Sequence, residues 1–318
     1  MTNSISLIVS LVISLDAIDK QLWIELRRNC RYSYRYLGDK IGISANAVKH
    51  RVEKLLETGF IRKWHLSLSL AMIDGGFAFI EVKTDGSKDE DELMKGLGDH
   101  PNIFVLLPLT TGDFALHAHY TDATSLLEIG SYIRSLDGIT DVKVHPTRAY
   151  LGKKMNLNSL HLRILPWLLD DPRASVTEIA KKTGLTARRV GKLVDELVSS
   201  EALNFSYIWN PNAGDSIAFI CRIRYNPKET ESEVLDNLMR KTYKIQYFYS
   251  HVSVIEPVLF SVFLVDHLFN IQEITKQVRK MPGVKAINTV IYYSVTVLTP
   301  LTEKKLVELL DDFKTNSS

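Results

Sequence analysis

The sequence predicts an α+β fold in which two winged helix-turn-helix domains alternate with two ferredoxin-like βαββαβ sandwich domains. Three observations predict it. Residues 15–61 recur without a gap as residues 157–203, at an offset of 142, and a register held over that length is the mark of an internal repeat. Each copy opens with three short segments of helical apolar spacing. Each then continues as short alternating segments in the order strand, helix, strand, strand, helix, strand.

The chain has 318 residues, enough for two to four compact domains. The pattern divides it into an N-terminal apolar helix (1–14), a first winged helix (15–70), a first sandwich (71–151), a linker (152–156), a second winged helix (157–212), a second sandwich (213–299) and a C-terminal helix and tail (300–318). Residues 5–15 are almost all apolar, but about 11 residues are too few to span a bilayer. No Lys or Arg precedes them and no small-residue cleavage site follows, so a secretory signal is not expected. Ser6, Ser10 and Ser14 recur every four residues. That spacing predicts a helix with a thin hydroxyl stripe, packed on a neighbouring domain or subunit.

In the first copy Ile18, Leu22 and Leu26 share one helical face. Ser33 is placed to cap a second helix that carries Tyr36, Leu37 and Ile41 and ends at Gly42. Ser44 caps a third, over 45–58, which ends at Gly59. Two short helices joined through Gly42-Ile43-Ser44 form a helix-turn-helix. Residues 60–70 alternate and read as a strand, the start of a wing or a connector. The second copy keeps this skeleton at Ser175, Ile179, Gly184, Thr186, Val190 and Leu197, although Pro166 is expected to kink or shorten its first helix.

The first sandwich reads as strand 77–83, helix 89–97, strands 103–109 and 114–120 about a turn at Thr111-Gly112-Asp113, helix 123–135 and strand 139–151. The second reads as 217–225, 231–240, 245–253, 258–265, 268–280 and 283–297, and a last helix covers 303–313. Helices cover one face of such a sheet. The other face, rich in strand residues such as Phe77, Phe79, Phe104, Phe219, Phe260 and Phe263, must pack on another sheet, within the chain or in a homodimer or higher oligomer.

A net charge of +2 means that any nucleic-acid role must show as a local basic patch. Residues 15–65 hold eleven Lys/Arg against six Asp/Glu, and residues 157–205 hold seven against six, so the basic surplus lies in the first copy. In its third helix Val48, Val52 and Leu55 form the apolar stripe. The opposite stripe carries Asn46, Lys49, His50 and Glu53, flanked by Arg51 and Lys54. A recognition helix offers such side chains to base edges and phosphates. Ser44 at the helix start and Arg62 and Lys63 in the following strand complete the first DNA-contact set. Arg188, Arg189 and Lys192 are their counterparts in the second. The expected partner is double-stranded DNA.

Two unpaired cysteines, Cys30 and Cys221, suit a reducing cytoplasm. No Gly-rich phosphate loop, nucleophile elbow or HExxH is present. His117 and His119 share one strand face, but two histidines lack the further ligands that zinc requires, so histidines at a sheet interface are expected. No metal, cofactor, membrane contact or catalytic residue is assigned.

The run Leu15-Asp16-Ala17-Ile18-Asp19, then Arg31-Tyr32-Ser33-Tyr34, Leu37, Gly42-Ile43-Ser44, Val48, Arg51-Val52, Leu55 and Gly59-Phe60-Ile61, resembles the Lrp/AsnC family of regulators. The resemblance covers essentially the whole chain as two fused copies. It implies a DNA-binding winged helix and a sandwich that senses amino acids and dimerises. If an effector binds, it is expected near Thr111, Gly112 and Asp113, with Asp113 receiving an α-ammonium group; the alternative is that Gly112-Asp113 is only the hairpin turn that such residues form. The chain departs from the family pattern where Ala115 replaces an acid after Gly112-Asp113-Phe114, where Ile255-Glu256-Pro257 lacks the glycine, and where Leu193 and Glu201 replace Arg51 and Gly59. Two alternatives fit the same architecture: a winged-helix scaffold for protein partners, and an enzyme similar to the sirohaem decarboxylases. The latter resemblance implies His, Arg and Tyr in the late sandwich hairpin, where residues 246–263 supply Tyr247, Tyr249 and His251 but no arginine.

Overall fold

Each helix of the repeat starts on a side chain that caps it. In the computed structural model, which describes residues 14–210 and 213–317, Asp16, Ser33 and Ser44 accept the backbone N–H three residues on. They open α1 (Ala17–Arg28), α2 (Tyr34–Ile41) and α3 (Ala45–Glu57). Such caps are each worth about 1 kcal/mol. Gly42 ends α2 at φ +87°, a left-handed conformation that glycine adopts without a Cβ penalty. The strand β1 (Ile61–Leu68) leads through a short 3-10 turn to the first sandwich. That sandwich comprises β2 (Gly76–Thr84), α4 (Glu90–Gly98), β3 (Ile103–Pro108), β4 (Phe114–Tyr120), α5 (Ala123–Arg134) and β5 (Ile139–Pro146).

The second copy repeats the design. Asn158, Ser175 and Thr186 cap α6 (Ser159–Asp170), α7 (Val176–Thr183) and α8 (Ala187–Ser199), each displaced from its counterpart by the offset of 142 seen in the sequence. Pro166 does not shorten its helix: α6 has the 12 residues of α1. Then come β6 (Leu203–Trp209), β7 (Ile217–Tyr225), α9 (Ser232–Thr242), β8 (Tyr247–Val252), β9 (Val258–Val265), α10 (Leu268–Arg279), β10 (Val284–Tyr292), β11 (Thr296–Val297) and α11 (Leu301–Ser317). Apart from Ser14, the apolar helix expected over residues 1–14 lies outside the described residues.

The two copies are joined about a local two-fold axis. β1 and β6 pair with each other, antiparallel, so each winged helix finds its strand partner in the other copy. Trp64 is equivalent to Ser206 and His65 to Tyr207. In the ribbon Trp64 faces Tyr207 and His65 faces Ser206, the exchange that a two-fold between them requires. The equivalent arginines reciprocate: Arg31 donates to the carbonyls of Pro172 (2.6 Å) and Ala174, and Arg173 donates to the carbonyl of Cys30.

Each sandwich sheet has its first and third strands at the centre, β5-β2-β4-β3 and β10-β7-β9-β8. The closing segment of the second copy is not one strand, as the alternation predicts. It breaks after Tyr292, and β11 adds to the edge of the first sheet beside β3. The closing segment of the first copy likewise ends at Pro146. The helix-free faces of the two sheets pack on each other within the chain. Phe79 stacks on Phe260 with centroids 4.1 Å apart, and Phe77, Ile220, Val258 and Val262 join them in one buried cluster. Phe219 and Phe263 point the other way, under the helices of their own sheet. At the edges the sheets are stitched by N–H donation from Arg148 to Val252 (2.8 Å) and from Thr110 to Ile291 (3.0 Å).

One polar group crosses this interface near the axis. Aligning the first residues of β2 and β7 makes Glu81 the counterpart of Arg222, and the two form an ion pair at 3.2 Å. His145 bonds Glu81 at 3.0 Å and Ser253 at 3.1 Å. Burial pushes the Glu81 carboxyl up, but the His145 hydrogen bond and the Arg222 charge outweigh it and hold the group below its ordinary range.

Two outcomes follow. Phe79→Ala should cost about 3–5 kcal/mol in urea unfolding, the range for truncating a buried aromatic; a loss under about 1 kcal/mol would contradict the packing. A carboxyl whose folded pKa is depressed contributes stability above its unfolded pKa of about 4.3 and loses it as pH falls through the folded value. Glu81→Gln should therefore be less stable than the parent at neutral pH, with the gap closing below about pH 4. A gap independent of pH would contradict the ionised pair.

Candidate nucleic-acid interface and interdomain cavity

α3 carries the side chains that the sequence assigns to DNA, and the structure sorts them. Val48, Val52 and Leu55 are fully buried, which turns Asn46, Lys49, His50 and Lys54 to solvent. Lys49 pairs with Glu53 at 3.7 Å, both exposed, a pairing of little energetic weight. Ser44 is exposed, but its hydroxyl accepts the N–H of Ala47 at 3.2 Å and serves as the helix cap.

Arg51, expected among the DNA contacts, is engaged within the winged helix. Its guanidinium turns back on the N-terminus of α1 and bonds Asp16 and Asp19, each at 2.7 Å. Asp19 is 3% exposed, so the pair clamps α3 to α1 rather than presenting a cation. Burial pushes the Asp16 carboxyl up, but the Asp19 N–H and Arg51 prevail and lower it. The second copy replaces Arg51 with Leu193, 2% exposed, and makes the same helix–helix link with His161 and Glu196 at 3.0 Å.

Arg62 and Lys63 are exposed on β1, where they border a surface recess with Leu298, Thr299 and Glu303. They thus lie beside the segment leading into α11. In the second copy Arg188, Arg189 and Lys192 are all exposed along the first turns of α8, with Gly191 where α3 has Lys49. The two-fold axis makes α3 and α8 symmetry counterparts with unlike side chains.

The expected effector residues are occupied. Asp113, 8% exposed, accepts from Lys83 (2.6 Å), from the Thr84 N–H (3.1 Å) and from the Thr111 hydroxyl (2.9 Å). Burial pushes its carboxyl up, and these three donors together hold it below the usual range. Gly112 sits at φ +81° with open space where a Cβ would lie, so the turn needs glycine for its backbone angle. Thr111-Gly112-Asp113 forms a hairpin turn whose carboxylate already accepts three hydrogen bonds from within the chain.

A cavity of about 500 Å³ lies instead between the sheets and the winged helices. β4 contributes His117 and His119, β8 contributes Tyr249 and His251, α1 contributes Arg27 and β6 contributes Tyr207. The Arg27 guanidinium lies 4.4 Å from the Phe248 ring centroid and 4.5 Å from that of Tyr249, within cation–π range. Burial pushes His117 down to about 3 and His119 down to about 4, and His251 well below its ordinary value, so all three imidazoles are neutral at physiological pH. Sequence reasoning found His117 and His119 on one face and Tyr249 and His251 two residues apart. It had no signal that α1 brings an arginine to that hairpin. No group of three or more His, Cys, Asp or Glu among the described residues is placed to hold a metal ion, and no described helix is long and apolar enough to cross a membrane.

A model of the AsnC-type helix-turn-helix domain matches residues 15–56, and a winged helix-turn-helix DNA-binding model matches residues 157–201. The HTH-type transcriptional regulator Ptr1 of Methanocaldococcus jannaschii is 32% identical over 146 residues, 45% of this chain and 90% of the regulator. An uncharacterised HTH-type transcriptional regulator of Pyrococcus furiosus is 27% identical over 134 residues, 41% of this chain and 90% of that protein. Among solved structures, the siroheme decarboxylase NirDL covers 95% of this chain and 99% of its own length with a TM-score of 0.55 at 11% identity, a likeness of fold alone. On the domain matches and the similarity to Ptr1, the chain belongs to the Lrp/AsnC family of HTH-type transcriptional regulators, as two tandem copies of the unit.

Proposed function

We propose that the chain regulates transcription in the cytoplasm by binding double-stranded DNA through both winged helices, with the first making the stronger contact and the two reading unlike half-sites. The observation that carries this is the solvent face of α3. Asn46, Lys49, His50 and Lys54 are exposed on a helix whose other face is sealed into the core. In family terms this is the recognition helix, and an amide beside cations suits adenine and guanine edges together with phosphate. Arg188, Arg189 and Lys192 supply a second, differently composed cationic face on α8. Its domain lacks the basic surplus of the first, so its phosphate term is smaller. Enzymatic decarboxylation has no support beyond the shared architecture, since NirDL is matched at 11% identity.

Titration of a selected duplex at several salt concentrations tests the proposal. Phosphate contacts release counterions, so log affinity should fall linearly with log salt; a flat line would overturn it. Lys49→Ala should weaken DNA binding by about 1–3 kcal/mol if it meets a base and leave folding stability within about 0.5 kcal/mol. Arg51→Ala should do the reverse in kind: it removes charge-assisted bonds to a buried carboxylate and should cost about 1.5–3 kcal/mol of stability. Arg188→Ala with Arg189→Ala should cost less binding than Asn46→Ala with Lys49→Ala; a larger loss in the second copy would reverse the ranking.

A further inference from the structure

The cavity between the sheets has the chemistry of a binding site that neither the DNA reading nor the hairpin turn uses. Its volume of about 500 Å³ falls in the range of small-molecule sites. Its walls are largely aromatic: Phe77 and Phe104 on one sheet, Phe248, Tyr249 and Tyr292 on the other. Three lining imidazoles each leave a buried ring nitrogen without a partner among the described residues, His117 Nε2, His119 Nδ1 and His251 Nε2. His117 and His119 are 6% and 8% exposed. Buried polar atoms are ordinarily paired, so three unpaired ones converging on one cavity call for a polar occupant.

The electrostatics are one-sided. Two guanidiniums, Arg27 and Arg148, line the cavity, and among the described residues no Asp or Glu does. Arg148 is paired at 3.0 Å with Glu233. Arg27 makes no ion pair among the described residues and rests on the rings of Phe248 and Tyr249. A free cation at the edge of an aromatic slot with no competing carboxylate selects an anion with a flat apolar body.

We propose that this cavity is a ligand site for an aromatic carboxylate, with the ring system between the facing aromatic side chains, the carboxylate on Arg27, and polar ring substituents on the unpaired nitrogens of His117, His119 and His251. The neutral imidazoles each carry one donor and one acceptor, so they suit hydroxyl or carbonyl substituents rather than a second charge. The site draws on α1 and β6 of the winged helices as well as on both sheets, and the proposal stands independently of DNA binding.

The test uses the full chain and a pair of fluorescent probes, pyrene-1-carboxylate and its neutral isostere pyrene-1-carboxamide. The carboxylate should bind saturably and at least tenfold more tightly than the amide. Arg27 is exposed and makes no ion pair among the described residues, so Arg27→Gln should fold normally. It should weaken the carboxylate far more than the amide, removing most of the preference, and Arg27→Lys should restore part of it. Ser206→Trp, which narrows the cavity, should weaken both probes and thereby locate them. The proposal is overturned if the carboxylate does not bind saturably up to its solubility limit, if it binds no better than the amide, or if Arg27→Gln leaves the preference intact.

Discussion

The antiparallel ribbon of β1 and β6 is the constraint on which the rest of the molecule depends. An isolated two-stranded hairpin is marginal in water, and here neither winged helix completes even that much alone. Each strand satisfies its backbone on the other copy. Once the ribbon forms, Arg31 and Arg173 reach across to each other's loops, and the linker brings two sheets with bare apolar faces into register. The Phe79–Phe260 stack and the edge bridges then close a core to which both copies contribute. An interface that a homodimer would form between subunits is formed inside one chain.

Duplication within one chain also releases the two halves from identity. A symmetric dimer would set Glu81 against its own copy near the axis, two like charges in a partly buried place. The fused chain has Arg222 at the equivalent position and makes a pair instead. The same freedom shows on α3 and α8, where Lys49 is replaced by Gly191 and Arg51 by Leu193 at the equivalent positions, and in the link between first and third helices, made by Arg51 with Asp16 and Asp19 in one copy and by His161 with Glu196 in the other. The fold is kept while the charges that meet partners diverge. The cavity follows the same logic: its histidines come from β1 and β4 of one copy and β8 of the other, so neither copy alone builds it.

Much of this was legible in the sequence, for local reasons. Ser33, Ser44, Ser175 and Thr186 act on backbone N–H groups three residues away, so spacing along the chain is enough to locate the helices they start. The apolar stripe Val48, Val52 and Leu55 identifies the buried face of α3 in the same way. What escaped was set by contacts far apart in sequence. Arg51 reads as a free cation on a helix until α1 is packed beside it, and only the closely spaced acids Asp16 and Asp19 hinted at a partner. Asp113 reads as an open carboxylate until β2 brings Lys83 and Thr84 to it. No local pattern announces that β11 leaves its own sheet for the first one, or that Arg27 looks into a cavity beside Tyr249.

The central claim is that one chain is a two-fold unit whose halves have become unlike, and its most direct test is the sequence of the DNA it selects. Fragments retained from a random pool by the purified full chain, sequenced and aligned, should yield a two-part motif whose halves differ, with information concentrated in the half read by α3. Repeating the selection with Arg188→Ala and Arg189→Ala should degrade only the other half. A perfectly palindromic motif, with both halves equally weakened by those substitutions, would contradict the account.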